Sequence, residues 1–192
     1  NQQAIEAARL ARKIGRPVQV AWSRAEEFFY DTFRPAAVVT IDAGVGEGGR
    51  ISYWDYTTYF AGARGAEQFY AVPHHRTLAA PNGWRGGPGT HPFATGAWRA
   101  PGNNTNTFAR ESHVDVLAAV AGIDPVEFRR RNLADAKMRR VLDATAERFG
   151  WKPAKAPGGS GRGQGIALGI DAGTYVGLAV EVRVDRASGR VR

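Results

Sequence analysis

The sequence predicts an α+β fold, with antiparallel hairpins and a helical segment in the second half. Three observations predict it. Residues 36–43 and 50–60 are rich in Val, Ile, Thr and Tyr and flank the glycine-loaded stretch Gly44 to Gly49, which is the pattern of a β-hairpin. Residues 105–149 carry apolar positions at helical spacing, interrupted by cap and stop signals. Residues 174–185 alternate between apolar and polar, as a half-buried strand does.

From the N-terminus, Gln2 to Ile14 has an apolar stripe through Ile5, Ala8, Ala11 and Ile14, and Gly15 with Pro17 ends the helix. Val18 to Trp22 alternates and reads as a strand. Ser23 and Glu26 make a capping box that opens a short helix from Arg24 to about Tyr30. After the hairpin, residues 61–104 hold many Gly and Pro and no sustained period. So long a stretch argues for a functional loop, with short strands expected to interrupt it, one of them near Phe93 to Trp98. Thr105 to Ala121 then has helical spacing at Phe108, Val114, Leu117 and Val120, and Gly122 stops it.

Asp124-Pro125-Val126-Glu127 restarts the chain as N-cap, N1 proline and N3 glutamate of a helix to about Asn132. A third helix runs from about Asp135 to Phe149, packs through Val141, Leu142, Thr145 and Phe149, and stops at Gly150. The expected organisation is a first unit over 1–151, divided into an αβ segment 1–104 and a helical segment 105–151. A Pro/Gly/Ser linker at 152–163 follows, then a β segment 164–192 with strands at Gln164 to Ile170 and Thr174 to Asp185. The chain begins at Asn1 and ends as another strand starts at Gly189 to Arg192, so it reads as a piece of something longer.

Composition narrows the chemistry. The 192 residues include no cysteine, which removes disulfides, thiolate nucleophiles and iron–sulfur ligation from this chain. No apolar stretch reaches the roughly 18–20 residues that span a bilayer. The net charge of +8 invites a nucleic-acid reading, and a basic binding module for an anionic polymer is the alternative class. However, 22 of the 26 basic residues are Arg and they are scattered. Their dense runs, Arg129-Arg130-Arg131 and Arg139-Arg140, look like solvated helix surface.

The four histidines (His74, His75, His91 and His113) lack carboxylates at metal-ligand spacing, and no serine sits in a nucleophile elbow. The glycine-rich stretches Gly83 to Gly89 and Gly158 to Gly163 lack dinucleotide-binding spacing. Glu47 sits in the hairpin turn and reads as a solvated turn residue. The most informative stretch is Gly96-Ala97-Trp98-Arg99-Ala100-Pro101-Gly102-Asn103-Asn104. It leads through a tight turn into a helix and gathers Arg99, free amides and a helix N-terminus at one point. Such a corner suits an oxyanion; an ordinary corner with a packing arginine fits the same residues.

Here a resemblance enters. Gly96 to Gly102, Thr107-Phe108-Ala109-Arg110-Glu111-Ser112-His113-Val114-Asp115-Val116-Leu117-Ala118 and Asp124-Pro125-Val126-Glu127-Phe128-Arg129 together resemble the large subunit of the xanthine dehydrogenase/aldehyde oxidase family. The nearest branch is the isoquinoline 1-oxidoreductase β-subunit and bacterial aldehyde dehydrogenase type. The N-terminal blocks agree in order and spacing: Gly15-Arg16-Pro17-Val18, Trp22-Ser23-Arg24-Ala25-Glu26-Glu27 and Phe33-Arg34-Pro35-Ala36.

The resemblance implies a molybdopterin-binding domain fragment of the molybdenum hydroxylase type. The parent would hydroxylate an aldehyde or N-heteroaromatic C–H with water-derived oxygen. It implies a molybdenum–molybdopterin cofactor, in the cytosine dinucleotide form, and an iron–sulfur small subunit or domain that accepts electrons. Nucleic acid is not an expected partner, and the fragment alone is expected to be inactive, to bind no cofactor and to self-associate through exposed surface. By the same resemblance Arg99, Ala100 and Gly102 lie on the cofactor side, and Arg34 and Pro101 on the substrate side. Pro101 replaces the aromatic of purine oxidisers. The family's glutamate base is expected beyond Arg192, and its glycine-rich loop upstream of Asn1.

Overall fold

Strand β2 (Ile51–Phe60) is the centre of the fold because it is flanked on both edges and covered by helices. It pairs antiparallel with β1 (Val38–Val45) and parallel with β3 (His74–Asn82), giving the sheet order β1-β2-β3. In the register, Ile41 faces Tyr56 across the first pair and Tyr56 faces Thr77 across the second. Its central place explains why Trp54, Tyr56, Thr57 and Thr58 are all buried. The computed structural model describes residues 2–82, 93–153 and 161–192.

The β1–β2 turn closes through Gly46 to Gly49, and only glycine suits its last position. Gly49 has φ +74, and a Cβ there would collide with the Ile123 side chain. The side chain of Asn132 secures this turn from the other side. It donates to Gly49 O and Phe128 O (both 2.9 Å) and accepts from Ile51 N at 2.9 Å.

Among the described residues five α-helices accompany the sheet: α1 (Gln2–Ile14), α2 (Arg24–Tyr30), α3 (Pro101–Val120), α4 (Pro125–Asn132) and α5 (Ala136–Phe149). Their ends follow the cap chemistry. Ser23 and Glu26 form the capping box of α2. Asp124 accepts from Val126 N and Glu127 N at the start of α4, and Asp135 from Lys137 N and Met138 N at the start of α5. Gly150 stops α5 in the left-handed conformation. A final hairpin, β4 (Arg162–Asp171) and β5 (Thr174–Arg183), packs on α5 and α3. One core joins these layers: Ile51, Trp54 and Tyr56 from the sheet, Val114 and Leu117 from α3, Phe128 from α4, Met138 and Leu142 from α5, Ile166 and Leu168 from β4.

Several expectations are corrected. Val18 to Trp22 alternates in burial but forms no strand among the described residues, because no neighbouring backbone meets it. Within 61–104 the strand that forms is β3, which the expectation of short strands there did not locate, because its pairing with β2 is parallel and non-local. Phe93 to Trp98 is not a strand: it makes a single parallel bridge, Phe33 to Thr95. Helix α3 starts at Pro101, four residues before the expected Thr105, since proline at N1 begins a helix rather than ending a turn. Arg129 is not on solvated surface but fully buried. Of α1, no residue is buried, and its apolar side chains Ile5, Leu10 and Ile14 are exposed. His91, Gly83 to Gly89 and residues 154–160 of the expected linker lie outside the described residues.

Candidate functional site

Three segments far apart in sequence meet at the N-terminus of α3. The first is 31–35. Phe33 N donates to Ala94 O at 2.8 Å and Gly96 N to Phe33 O at 3.0 Å, which ties it to the strand-like approach of the turn. Trp98 Nε1 adds a bond to Thr32 O at 2.9 Å. The second segment is the turn itself, where Ala100 adopts φ 54, ψ 60 as the N-cap residue of α3 and Pro101 follows at N1. Arg34 joins the two. Its guanidinium donates to Arg99 O at 2.6 Å, Pro101 O at 2.8 Å and Ala100 O at 3.5 Å.

The third segment is the loop 61–67, which lies along one face of α3. Gly102 is pressed so close that a Cβ would come within 2.6 Å of Ala61 O, with Arg64 O and Gly62 O beside it. One turn on, Asn106 Nδ2 donates to Gly62 O at 2.9 Å and Arg64 O at 3.0 Å, and its Oδ1 accepts from Tyr56 at 2.7 Å. A further turn on, Arg110 donates to Gly65 O at 2.7 Å and Glu67 O at 3.3 Å and stacks over Phe69. The spacing 102, 106, 110 puts all three on one helix face. Loop carbonyls that no strand satisfies are thus satisfied by a helix. Burial pushes the Tyr56 hydroxyl up to about 12, against the pull of Arg110, so it stays a donor to Asn106.

Beneath the corner lies a buried ionic knot. The Glu111 carboxylate accepts from Tyr70 OH (3.1 Å), Arg129 Nε (3.1 Å) and Leu168 N (2.9 Å), and Arg110 Nε reaches it at 3.4 Å. Arg129 also donates to Asp115 at 2.6 Å. Burial pulls the Arg129 guanidinium down, yet Tyr70, Glu111 and Asp115 outweigh it and hold its pKa above the ordinary arginine value. Burial, then Glu111, raises Tyr70 well above its usual range. This knot holds α3, α4, β4 and the 66–72 loop in one arrangement, and so fixes the direction of the α3 N-terminus.

The corner has the electrostatics of an anion site. Helix α3 has 20 residues, and among the described residues no side chain caps its N-terminus. The positive end of its dipole therefore lies beside Arg99, whose exposed guanidinium makes no hydrogen bond or ion pair among the described residues. Alongside runs an open, mainly apolar groove of about 570 Å³ between α3 and the β4–β5 hairpin, lined by Ala100, Asn104, Phe108, Gly169 and Leu178.

The sequence-predicted residues Arg34, Arg99, Ala100, Pro101 and Gly102 are all brought to this corner. Glu47 stays exposed in the β1–β2 turn. His74 and His75 are exposed on β3, and His113 sits edge-on to Trp54 with its pKa lowered by burial against the opposing effect of Asp42. Among the described residues no group of three His, Asp or Glu side chains could hold a metal ion. Sequence reasoning missed Asn106, Arg110, Glu111 and Arg129. The available signal was polar residues at 103, 106, 110 and 111, on the helix side that also carries Val114, Leu117 and Ala118.

The molybdopterin cofactor-binding domain family matches residues 1–84 and 89–133, more than half of the chain, and the chain belongs to that family. It is 28% identical to a nicotinate dehydrogenase subunit of Pseudomonas putida, over 97% of this chain and 18% of that protein. It is 31% identical to the aldehyde oxidoreductase molybdenum-binding subunit of Escherichia coli strain K12, over 87% of this chain and 26% of that protein. Among solved structures, quinoline 2-oxidoreductase from Pseudomonas putida 86 shares the fold, with a TM-score of 0.61 and 19% identity, over 86% of this chain and 25% of that one. The chain thus spans about a fifth to a quarter of the length of the curated relatives it matches.

Proposed function

We propose that this chain is the corner-forming segment of the molybdenum-cofactor subunit of an oxidoreductase that hydroxylates an aldehyde or N-heteroaromatic C–H. The carrying observation is the uncapped α3 N-terminus with Arg99 beside it, inside the region that matches the molybdopterin cofactor-binding family. Those groups suit an anionic, oxygen-rich cofactor: an exposed cation beside the positive end of a helix. The relatives' names, a nicotinate dehydrogenase and an aldehyde oxidoreductase, support the two substrate classes.

When bound, the molybdopterin cofactor supplies the two-electron oxidation, with oxygen drawn from water. This chain's share is placement. Arg99 provides positive potential on the cofactor side, the backbone of Ala100 and Gly102 provides contact surface, and Pro101 with the apolar groove excludes water on the substrate side. Electrons leave to an iron–sulfur subunit or domain, and the cytosine dinucleotide form of the pterin is the one proposed. The 192 residues by themselves carry no assigned base, so the isolated chain is proposed to be inactive and without cofactor.

The test uses the full-length subunit purified with its electron-accepting partner. The expected result is stoichiometric molybdenum by mass spectrometry, and incorporation of ¹⁸O from labelled water into a hydroxylated aldehyde or N-heterocycle. Arg99→Ala is expected to lower molybdenum content about tenfold, the equivalent of one lost charge-assisted hydrogen bond. A metal-free subunit with unlabelled product would sink the reading.

A further inference from the structure

We propose that Arg34 is a positioning residue, a clamp that holds the Arg99-Ala100-Pro101 turn in its left-handed form and so aims the Arg99 guanidinium. This rests on the reading of the α3 corner as the cofactor site, and it departs from the substrate-side role that resemblance suggests for Arg34.

The geometry carries the argument. Both terminal nitrogens of Arg34 point at main-chain oxygens, with bonds to the carbonyls of Arg99, Ala100 and Pro101. A planar guanidinium holds two donor nitrogens in a rigid fork over three successive carbonyls, whereas an ammonium offers a single donor atom on a flexible stem. At the middle of the clamped turn Ala100 has φ 54, a region that residues with a Cβ avoid and that persists only where the surroundings over-determine it. Among the described residues no side chain caps the helix that follows, so the clamp is what holds the turn.

The clamp is itself anchored. Phe33, next to Arg34, exchanges backbone bonds with Ala94 and Gly96, and Trp98 donates to Thr32 O. Arg99 therefore lies between two fixed points, Trp98 before it and the clamped carbonyls after it. Its side chain is left exposed and directed by backbone alone.

Hydrogen exchange on the full-length subunit tests this with or without cofactor. In Arg34→Met and in Arg34→Lys, amides of residues 98–107 are expected to exchange at least about tenfold faster, while residues 51–60 stay protected. Adding Ala100→Gly to either is expected to restore protection to within about threefold of the parent, because glycine holds φ 54 without help. In the loaded enzyme, Lys is expected not to rescue kcat, and KM to change little. Unchanged exchange, no recovery with Ala100→Gly, or rescue of KM by Lys alone would each overturn the clamp. If Arg34→Met does not fold, recovery of a folded chain by Ala100→Gly supports the clamp and failure to recover overturns it. A wild-type subunit without molybdenum defeats the cofactor reading alone, since the exchange result stands apart from it.

Discussion

Arg129 shows how the same residue type can serve opposite ends within three positions of sequence. Arg130 and Arg131 are surface residues paired with Glu127 and Asp143, and such exposed pairs contribute little. Arg129 is fully buried, and its worth depends on Glu111 and Asp115. Taking away one partner leaves a charge with no water to turn to. Glu111→Ala is therefore expected to cost about 3–5 kcal/mol in urea denaturation, more than an ordinary surface change. Replacing both sides at once, as Glu111→Leu with Arg129→Met, is expected to recover much of that loss because no unpaired charge remains. Nothing in the run Arg129-Arg130-Arg131 tells the three apart; only the packing of α4 against α3 does.

At the scale of elements, the helices were legible because caps and stops are local chemistry. Ser23 and Asp124 cap where they were expected to, Asp135 caps a helix expected to begin at about that residue, and Gly150 stops α5. Asp124 does more than cap. Its second oxygen accepts from Trp151 Nε1 at 3.0 Å, so one carboxylate pins both the start of α4 and the chain beyond α5. Asp124→Asn, which keeps a capping oxygen but loses the second acceptor, is expected to cost about 1 kcal/mol. Asp124→Ala loses both and is expected to cost about 2–3 kcal/mol; the two midpoints in urea separate the cap from the tryptophan bond. The strands were less legible. The β1–β2 hairpin announces itself through its turn, whereas β3 joins by a parallel pairing whose partner is 21 residues earlier at Asp55 and Arg76. Its ladder depends on β2, and no local pattern encodes that.

For the whole molecule, the exposed apolar surface is the telling feature. On β5 the outward side chains Val176, Leu178, Val180 and Val182 form a continuous stripe, with Leu178 61% exposed. Phe28, Phe29 and Tyr30 project from α2 in the same way. Stripes of this kind mark contact surfaces. The isolated chain is expected to self-associate in sedimentation velocity at micromolar concentrations, and Leu178→Lys with Val180→Lys is expected to shift it toward monomer without loss of helical signal. Persistence of the larger species in that variant would place the contact elsewhere. The charge of +8 fits the same scale: ion pairs such as Arg76–Asp55 and Arg64–Asp171 cancel within it, and the exposed Arg99 at the α3 corner belongs to the excess.

By itself the sequence determined the helix boundaries from α4 onward, the first hairpin, the family, and the identity of the corner residues, because each is written in neighbouring positions. Only the tertiary structure decided that Arg34 grips the Arg99-Ala100-Pro101 backbone and that Glu111 gathers Tyr70, Arg129 and Leu168. It alone decided, too, that loop 61–67 lies on the face of α3. Those are contacts between groups tens of residues apart. They form where burial removes water from polar atoms and obliges them to find one another, a constraint that acts in space and leaves no period or spacing along the chain.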